Sequence, residues 1–194
     1  MALTDKEVLA LFEKSGGVLK GHFLLTSGRH SDTYMQCALL FDDAKVSETL
    51  CAELADRVKK YKPDIVVSPA VGAIIMGYEV SRHLGLKNVF AERENGTFTL
   101  RRGFTLPERA RVLITENVVT TGGSVFEVME MLKNYGAEVV AVASMVDRSN
   151  GTVDFGVPFV TMLRADVKSY EADECPLCKA GMGAPVKPGS RNLK

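Results

Sequence analysis

Apolar residues along this chain alternate between a helical spacing and short unbroken runs. Leu3 and Val8 are spaced as a hydrophobic staple around a Thr4/Glu7 capping box, which predicts a first helix from about residue 5 to 14, stopped at Gly16-Gly17. Val46, Leu50, Leu54, Val58 and Tyr61 form the buried stripe of a longer helix that opens near Asp42 and ends at Pro63. A strand at 65–68, a helix at 70–84 ending on Gly85, and a strand at 89–92 follow. Asn95-Gly96 is a tight-turn signal, so residues 91–104 read as an exposed hairpin. Residues 112–115 are β-branched and apolar, as in a strand buried on both faces. Val125, Val128, Met129 and Leu132 then share one helical face, with Tyr135 close by and Gly136 as a stop; strands at 139–146 and 159–163 complete the series. Strand, helix, strand, repeated, predicts an α/β fold: a doubly wound, mostly parallel central sheet flanked by helices, with right-handed crossovers.

Length and charge narrow the function classes. A chain of 194 residues with 46% hydrophobic content can bury one substantial core, so a single domain spanning 1–194 is expected. Lys plus Arg equal Asp plus Glu at 24 each, which leaves no basic excess to grip nucleic acid. The start lacks a basic region followed by an apolar run, and no apolar run approaches the ~18 residues that span a bilayer; a cytoplasmic protein without membrane contact is expected. Four cysteines make no disulfide framework. Cys175 and Cys178 form a CxxC, half of a zinc site. His22, His30 and His83 show no spacing that completes it within the segment, so free thiols are the simpler expectation and zinc the alternative.

The candidate chemistry lies in VLITENVVTTGGSV, residues 112–125. Glu116 places a carboxylate at the carboxyl end of a strand, where open α/β sheets bind ligands. Residues 120–124 are small, hydroxylated or Gly, so successive N–H groups can approach an anion without Cβ interference, and a phosphate there would rest on a helix N-terminus. Neither GxxxxGK[ST] nor GxGxxG occurs. The plain alternative is an ordinary strand-to-helix turn capped by Thr and Ser.

Acid followed at short range by TTGGS resembles the phosphoribosyl diphosphate (PRPP) signature of type I phosphoribosyltransferases. GHFLLTSGRHSDTY (21–34) is similar to the N-terminal hood of the orotate phosphoribosyltransferases, and MVDRSNG (145–151), FAER (90–93) and TLRRGF (99–104) extend the likeness over most of the chain. The resemblance implies a hood at about 1–40, a core at about 42–165 and a tail at 166–194. It also implies transfer of the phosphoribosyl group to orotate, giving orotidine 5′-monophosphate and diphosphate for pyrimidine synthesis, with Mg²⁺ carried by PRPP and no metal held directly by the protein. Glu116, Asn117, Val118, Val119, Thr120, Thr121, Gly122, Gly123, Ser124 and Arg93 would bind PRPP, with Glu116 opposing charge on the ribose. Arg148 would pair with the orotate carboxylate, with Thr120 and Tyr34 near the base. Arg101 and Arg102 would act on the diphosphate from a mobile loop that, in this family, closes over the neighbouring subunit of a homodimer.

The chain departs from the family pattern in three places. Asn117 stands where most relatives have a second carboxylate, Thr26 where many have Lys, and Val71 where some have another Lys, which shifts anion binding onto arginines and onto N–H groups around Val71 and Gly72. Met35 follows Tyr34 at a position often filled by two aromatics, and could flank the base or belong to the core. Two other functions remain open: a phosphoribosyltransferase for another base, and a non-catalytic PRPP-sensing regulator, to which Asn117 lends support.

Overall fold

A computed structural model describes residues 3–25, 27–165 and 168–188; Thr26 and part of the tail lie outside these. The chain runs α1 (Asp5–Lys14), β1 (Val18–Leu24), β2 (His30–Met35), α2 (Ala44–Val58), β3 (Ile65–Pro69), α3 (Ile74–Leu84), β4 (Lys87–Glu94), β5 (Thr97–Leu100), β6 (Arg111–Val119), α4 (Gly123–Asn134), β7 (Glu138–Asp147), β8 (Phe159–Arg164) and α5 (Pro176–Lys179). Single 3-10 turns occupy Cys37–Leu40 and Lys59–Tyr61. The Thr4/Glu7 capping box forms as expected. α2 is capped by Asp43, whose carboxylate accepts the Lys45 and Val46 N–H groups, so the helix starts two residues after the Asp42 predicted to open it.

Six strands form the main sheet in the order β5-β4-β3-β6-β7-β8, parallel except for the β4–β5 pair. Alternate strand residues serve opposite faces, and both faces are covered. Val66, Leu113, Ala141 and Ala143 join a core with Val8 and Phe12 of α1, Leu50 and Leu54 of α2, and Met76 of α3. Ile65, Val67, Val112, Ile114 and Val142 join a second core with Val125, Val128, Met131 and Leu132 of α4. This double burial is why the strands read as continuous apolar runs. α3 comes close to the sheet at Gly77, where a Cβ would overlap Ser68 Oγ and stand 2.9 Å from Thr115 Oγ1.

Four expectations are corrected. α3 starts at Ile74, four residues late, because 70–73 form a loop at the end of β3. β6 continues to Val119 by pairing with β7, so Glu116 lies inside a strand and not at its end. The hairpin turns at Asn95-Gly96 with φ of 52° and 85°, but its strands form one edge of the main sheet, and the loop proper is 101–110. On α4, Met131 takes the buried face, and Met129 is only half-buried. β1 and β2 form a separate antiparallel pair, the hood expected from the sequence.

Candidate functional site

The strand order reverses between β3 and β6: β3 leads outward to β4 and β5, whereas β6 leads the other way to β7 and β8. A crevice opens at the carboxyl ends of strands at such a switch point. It is flanked by the 70–73 loop after β3 and the 120–122 turn after β6. A cavity of about 300 Å³ lies there, lined by Arg93, Glu116, Val118, Val119, the stretch from Thr120 to Val125, and Glu127. Nine of the ten residues expected from the sequence to bind PRPP, Arg93, Glu116 and Val118 to Ser124, thus share one space; the tenth, Asn117, faces an adjacent loop.

The turn owes its shape to Gly122, which adopts φ +74° and serves as the N-cap of α4. A Cβ there would come within 2.9 Å of Phe155, 3.0 Å of Val153 and 3.1 Å of Phe126. No side chain caps the helix, and its first internal bond is Phe126 N–H to Gly122 O at 2.9 Å. The preceding N–H groups therefore face the cavity, where an anion can accept them.

Glu116 and Asn117 are held by their own backbone. Glu116 Oε1 accepts the Asn117 N–H at 2.9 Å, and Asn117 Oδ1 accepts the Val118 N–H at 2.8 Å. The Asn117 Nδ2 end abuts Gly72, since a Cβ on that glycine would meet it at 2.7 Å. The neutral amide thereby links β6 to the 70–73 loop, whose Val71 is 81% exposed.

Arg148 follows β7. Its N–H donates to Val119 O at 2.8 Å, which ties its backbone to the end of β6. The turn behind it is fixed by buried Asp147, which accepts the Ser149 N–H at 2.8 Å and hydroxyl at 2.6 Å. Burial pulls the Arg148 guanidinium below its ordinary value, while nearby Tyr34 and Cys37 oppose the shift. Tyr34 is the hood aromatic near this arginine, and its ring packs 5.8 Å from that of Phe23 between centroids. Met35 is a core residue, the second of its two expected roles.

Sequence reasoning missed two neighbours. Cys37 donates its thiol to Asn117 O at 3.7 Å, and burial pushes that thiol up to about 12, with Arg148 opposing and Glu116 adding. Glu127 lines the cavity and takes Arg93 in a two-pronged pair at 2.6 and 2.9 Å; that pair also pulls the Glu127 carboxyl below its usual range. A one-turn spacing from the TTGGS segment was the available signal for Glu127. Nothing in the sequence pointed to Cys37.

The loop arginines do not line the cavity. Arg102 pairs with Glu92 at 2.7 and 2.8 Å, and Arg101 with Glu94 at 3.4 Å, both on the hairpin. Cys175 and Cys178 lie on the C-terminal segment against the hood.

Comparison with known proteins gives a consistent picture. A sequence model of the phosphoribosyl transferase domain matches residues 41–168. The chain is 52% identical over 191 residues to an orotate phosphoribosyltransferase of Caldanaerobacter subterraneus subsp. tengcongensis, covering 98% of this chain and 100% of that one. It is 52% identical over 189 residues to one of Thermotoga maritima, covering 97% and 99%. Among solved structures, an orotate phosphoribosyltransferase from Aeropyrum pernix superposes with a TM-score of 0.71 at 24% identity, over 91% of this chain and 99% of that one. An adenine phosphoribosyltransferase from Thermoanaerobacter pseudethanolicus superposes at 0.60 with 16% identity, over 69% and 88%, and so shares the fold alone.

Proposed function

The chain belongs to the orotate phosphoribosyltransferase family, and from that premise we propose how its own residues move the phosphoribosyl group of PRPP onto orotate. The products of this pentosyl transfer are orotidine 5′-monophosphate and diphosphate. One observation carries the assignment of roles: an uncapped α4 N-terminus and a carboxylate line one cavity at the switch point, and a half-buried arginine is tied to the end of β6 beside it.

The open N–H groups of the 120–124 turn hold the 5′-phosphate, with the Thr and Ser hydroxyls beside them. Glu116 accepts ribose hydroxyls and opposes the positive charge that grows as the C1–O bond breaks. Orotate's ring nitrogen attacks C1, so no covalent protein nucleophile is required. Arg148 takes the orotate carboxylate in a two-pronged contact, and Phe23 and Tyr34 flank the base. The diphosphate leaves toward the 70–73 loop, where N–H groups near Val71 and Gly72 replace the family's lysine.

Arg101 and Arg102 complete the charge balance from a closing loop. Both arginines are exposed where they pair with Glu94 and Glu92, and water and salt screen such pairs, so each can be exchanged for a diphosphate. That loop belongs to a second copy of the chain. A homodimer is supported by Val71, Ile75 and Tyr78, an exposed apolar row on the 70–73 loop and α3 at 81%, 56% and 61%.

Mg²⁺ fits as an ion carried by the substrate. Among the described residues no cluster of three or more His, Cys or acidic groups lies at the cavity, and Glu116 offers one hard oxygen donor group beside the ribose. When bound, the ion neutralises charge on the departing diphosphate. Among the described residues no helix is long and apolar enough to cross a membrane, and we place the enzyme in the cytoplasm.

The test mixes purified protein with PRPP, Mg²⁺ and either orotate or a purine, and follows release of diphosphate in both arms, with loss of orotate absorbance as a second readout in the first. Orotate-dependent turnover is expected, with none on the purine. Arg148→Ala is expected to raise the KM for orotate by roughly 10- to 100-fold, the equivalent of a lost charge-assisted contact, and to leave PRPP affinity unchanged. Equal loss of both ligands overturns the role given to Arg148.

A further inference from the structure

Four potential metal ligands converge where the C-terminal segment crosses the hood, away from the transferase cavity. His22 comes from β1, His30 from β2, and Cys175 and Cys178 from the turn that opens α5; their ligand atoms all lie within 4.8 Å of one another. His22 Nε2 is 3.1 Å from His30 Nδ1 and 3.6 Å from each cysteine sulfur, and Cys178 Sγ is 3.4 Å from His30 Nδ1. We propose that these four side chains form a structural zinc site that pins the C-terminal segment to the hood.

Four of the six edges match a tetrahedron around one ion, and the spread to 4.8 Å is closed by a small inward shift of the ligands on binding. With Zn–N of about 2.0–2.1 Å and Zn–S of about 2.3 Å, tetrahedral angles put the N···N edge near ~3.3 Å and each N···S edge near ~3.6 Å. The four measured edges fall within a few tenths of an ångström of those values. Two sulfurs and two nitrogens in this geometry select zinc over Mg²⁺ or Ca²⁺, which take oxygen. A full set of four protein ligands leaves no open position for water or substrate, so the ion is structural.

The surroundings are those of a built site. His22 Nδ1 lies 2.9 Å from Gly183 O, and donation of its proton to that carbonyl leaves Nε2 as a lone pair aimed at the cluster. His22, His30 and Cys175 are buried. Backbone bonds register the two segments on either side of the cluster: His30 and Tyr170 exchange both bonds at 2.8 Å, Leu24 donates to Val186 O, and Val186 donates to His22 O, each at 2.8 Å. Arg29 adds bonds to Ser169 and an ion pair with Glu171. Binding releases the thiol protons and ties together residues 22 and 178, which local sequence spacing cannot reveal.

The site stands apart from the transferase reading, and its test does not depend on turnover. Untagged full-length protein, purified under reducing conditions, is expected to contain about one zinc per chain by mass spectrometry of the metal. Cys175→Ser/Cys178→Ser is expected to lose at least nine-tenths of it, whereas Cys51→Ala keeps it. Because the double variant could fail to fold, Co²⁺ is also titrated into chelator-treated native protein; the absorption bands of a tetrahedral cobalt site with two thiolates are expected at one equivalent. Absence of both zinc and cobalt bands in the reduced native protein overturns the proposal. So does zinc retained by the double variant, or a Cys175–Cys178 disulfide, seen as a mass lowered by two hydrogens in protein never exposed to oxidant.

Discussion

Replacing Gly122 by Ala tests whether the shape of one turn supports both stability and donor binding. Its φ of +74° lies in the left-handed region, where a Cβ costs about 1–2 kcal/mol. The added methyl also meets Phe155 at 2.9 Å, Val153 at 3.0 Å and Phe126 at 3.1 Å, contacts from three sides that no single rotamer change relieves. Overpacking of this kind costs about 1–3 kcal/mol. The two terms total roughly 2–5 kcal/mol, and at about 2–4 °C per kcal/mol for a chain of this size, Tm should fall by roughly 4–20 °C. Relief of the strain would tilt the first turn of α4 and misaim its open N–H groups, so the KM for PRPP should rise while the KM for orotate moves less. Gly123→Ala is the control for space: its nearest neighbour is Thr121 Oγ1 at 3.7 Å and its φ is negative, so Tm should hold while close approach of the phosphate is hindered. Differential scanning fluorimetry with and without PRPP, together with steady-state kinetics, reads both effects. A Gly122→Ala protein with parental Tm and parental KM for PRPP refutes the reasoning.

Other expectations follow from the same geometry. Asn117→Asp puts a charge where the amide now meets Gly72; kcat should rise if the missing carboxylate limits turnover, and an unchanged or lower kcat in a stopped assay shows that the amide suffices. Cys37 and Cys51, both pushed up to about 12 by burial, should resist iodoacetamide at pH 8 in the folded protein, as peptide mass mapping would reveal. Because the folded values lie above the ordinary thiol range, their contribution to stability is complete below about pH 8.5 and is lost as pH climbs toward 12; urea titrations whose midpoint stays level across that window contradict this. PRPP affinity should fall by at least tenfold in Mg²⁺-free buffer, measured by calorimetry without chelator, because among the described residues the one arginine lining the cavity is already paired with Glu127.

What the sequence revealed tracks how local each cause is. The capping box at Thr4, the Asn95-Gly96 turn and the TTGGS segment act over a few residues, and all three formed where expected. Boundaries set by tertiary pairing were misjudged. β6 gained Glu116 to Val119 because β7 continues alongside it, and α3 lost its first turn to the loop that meets Asn117. The expectation that Arg148 and Tyr34 share a site came from family likeness and not from spacing; in the structure the N–H of Arg148 fixes it to the end of β6 at Val119, and Tyr34 of the hood lies nearby. Glu127 carried only its one-turn spacing from TTGGS and Cys37 no signal at all, because their places depend on which faces of α4 and of the turn after β2 point inward. The His/Cys cluster was missed for the same reason, since 153 residues separate His22 from Cys175.

A chain of zero net charge that binds a highly anionic donor must place its attraction locally. The cavity holds two carboxylates, Glu116 and Glu127, against one arginine that Glu127 already engages. Bulk positive potential therefore cannot draw the donor in. Backbone N–H groups at the α4 terminus are directional and uncharged, so they reward an anion only at the point where they converge. The carboxylates penalise it everywhere else in the cavity. On the proposed reading this fixes the donor's register before any chemistry occurs: phosphate at the turn, ribose over Glu116, and C1 turned toward a base held by Arg148. On that reading diphosphate charge is left to the divalent cation and to Arg101 and Arg102, which are exposed and paired only with hairpin carboxylates. On the same reading the two arginines arrive with the closing loop and not before it, so the last stabilisation of the leaving group coincides with exclusion of water from the ribosyl cation.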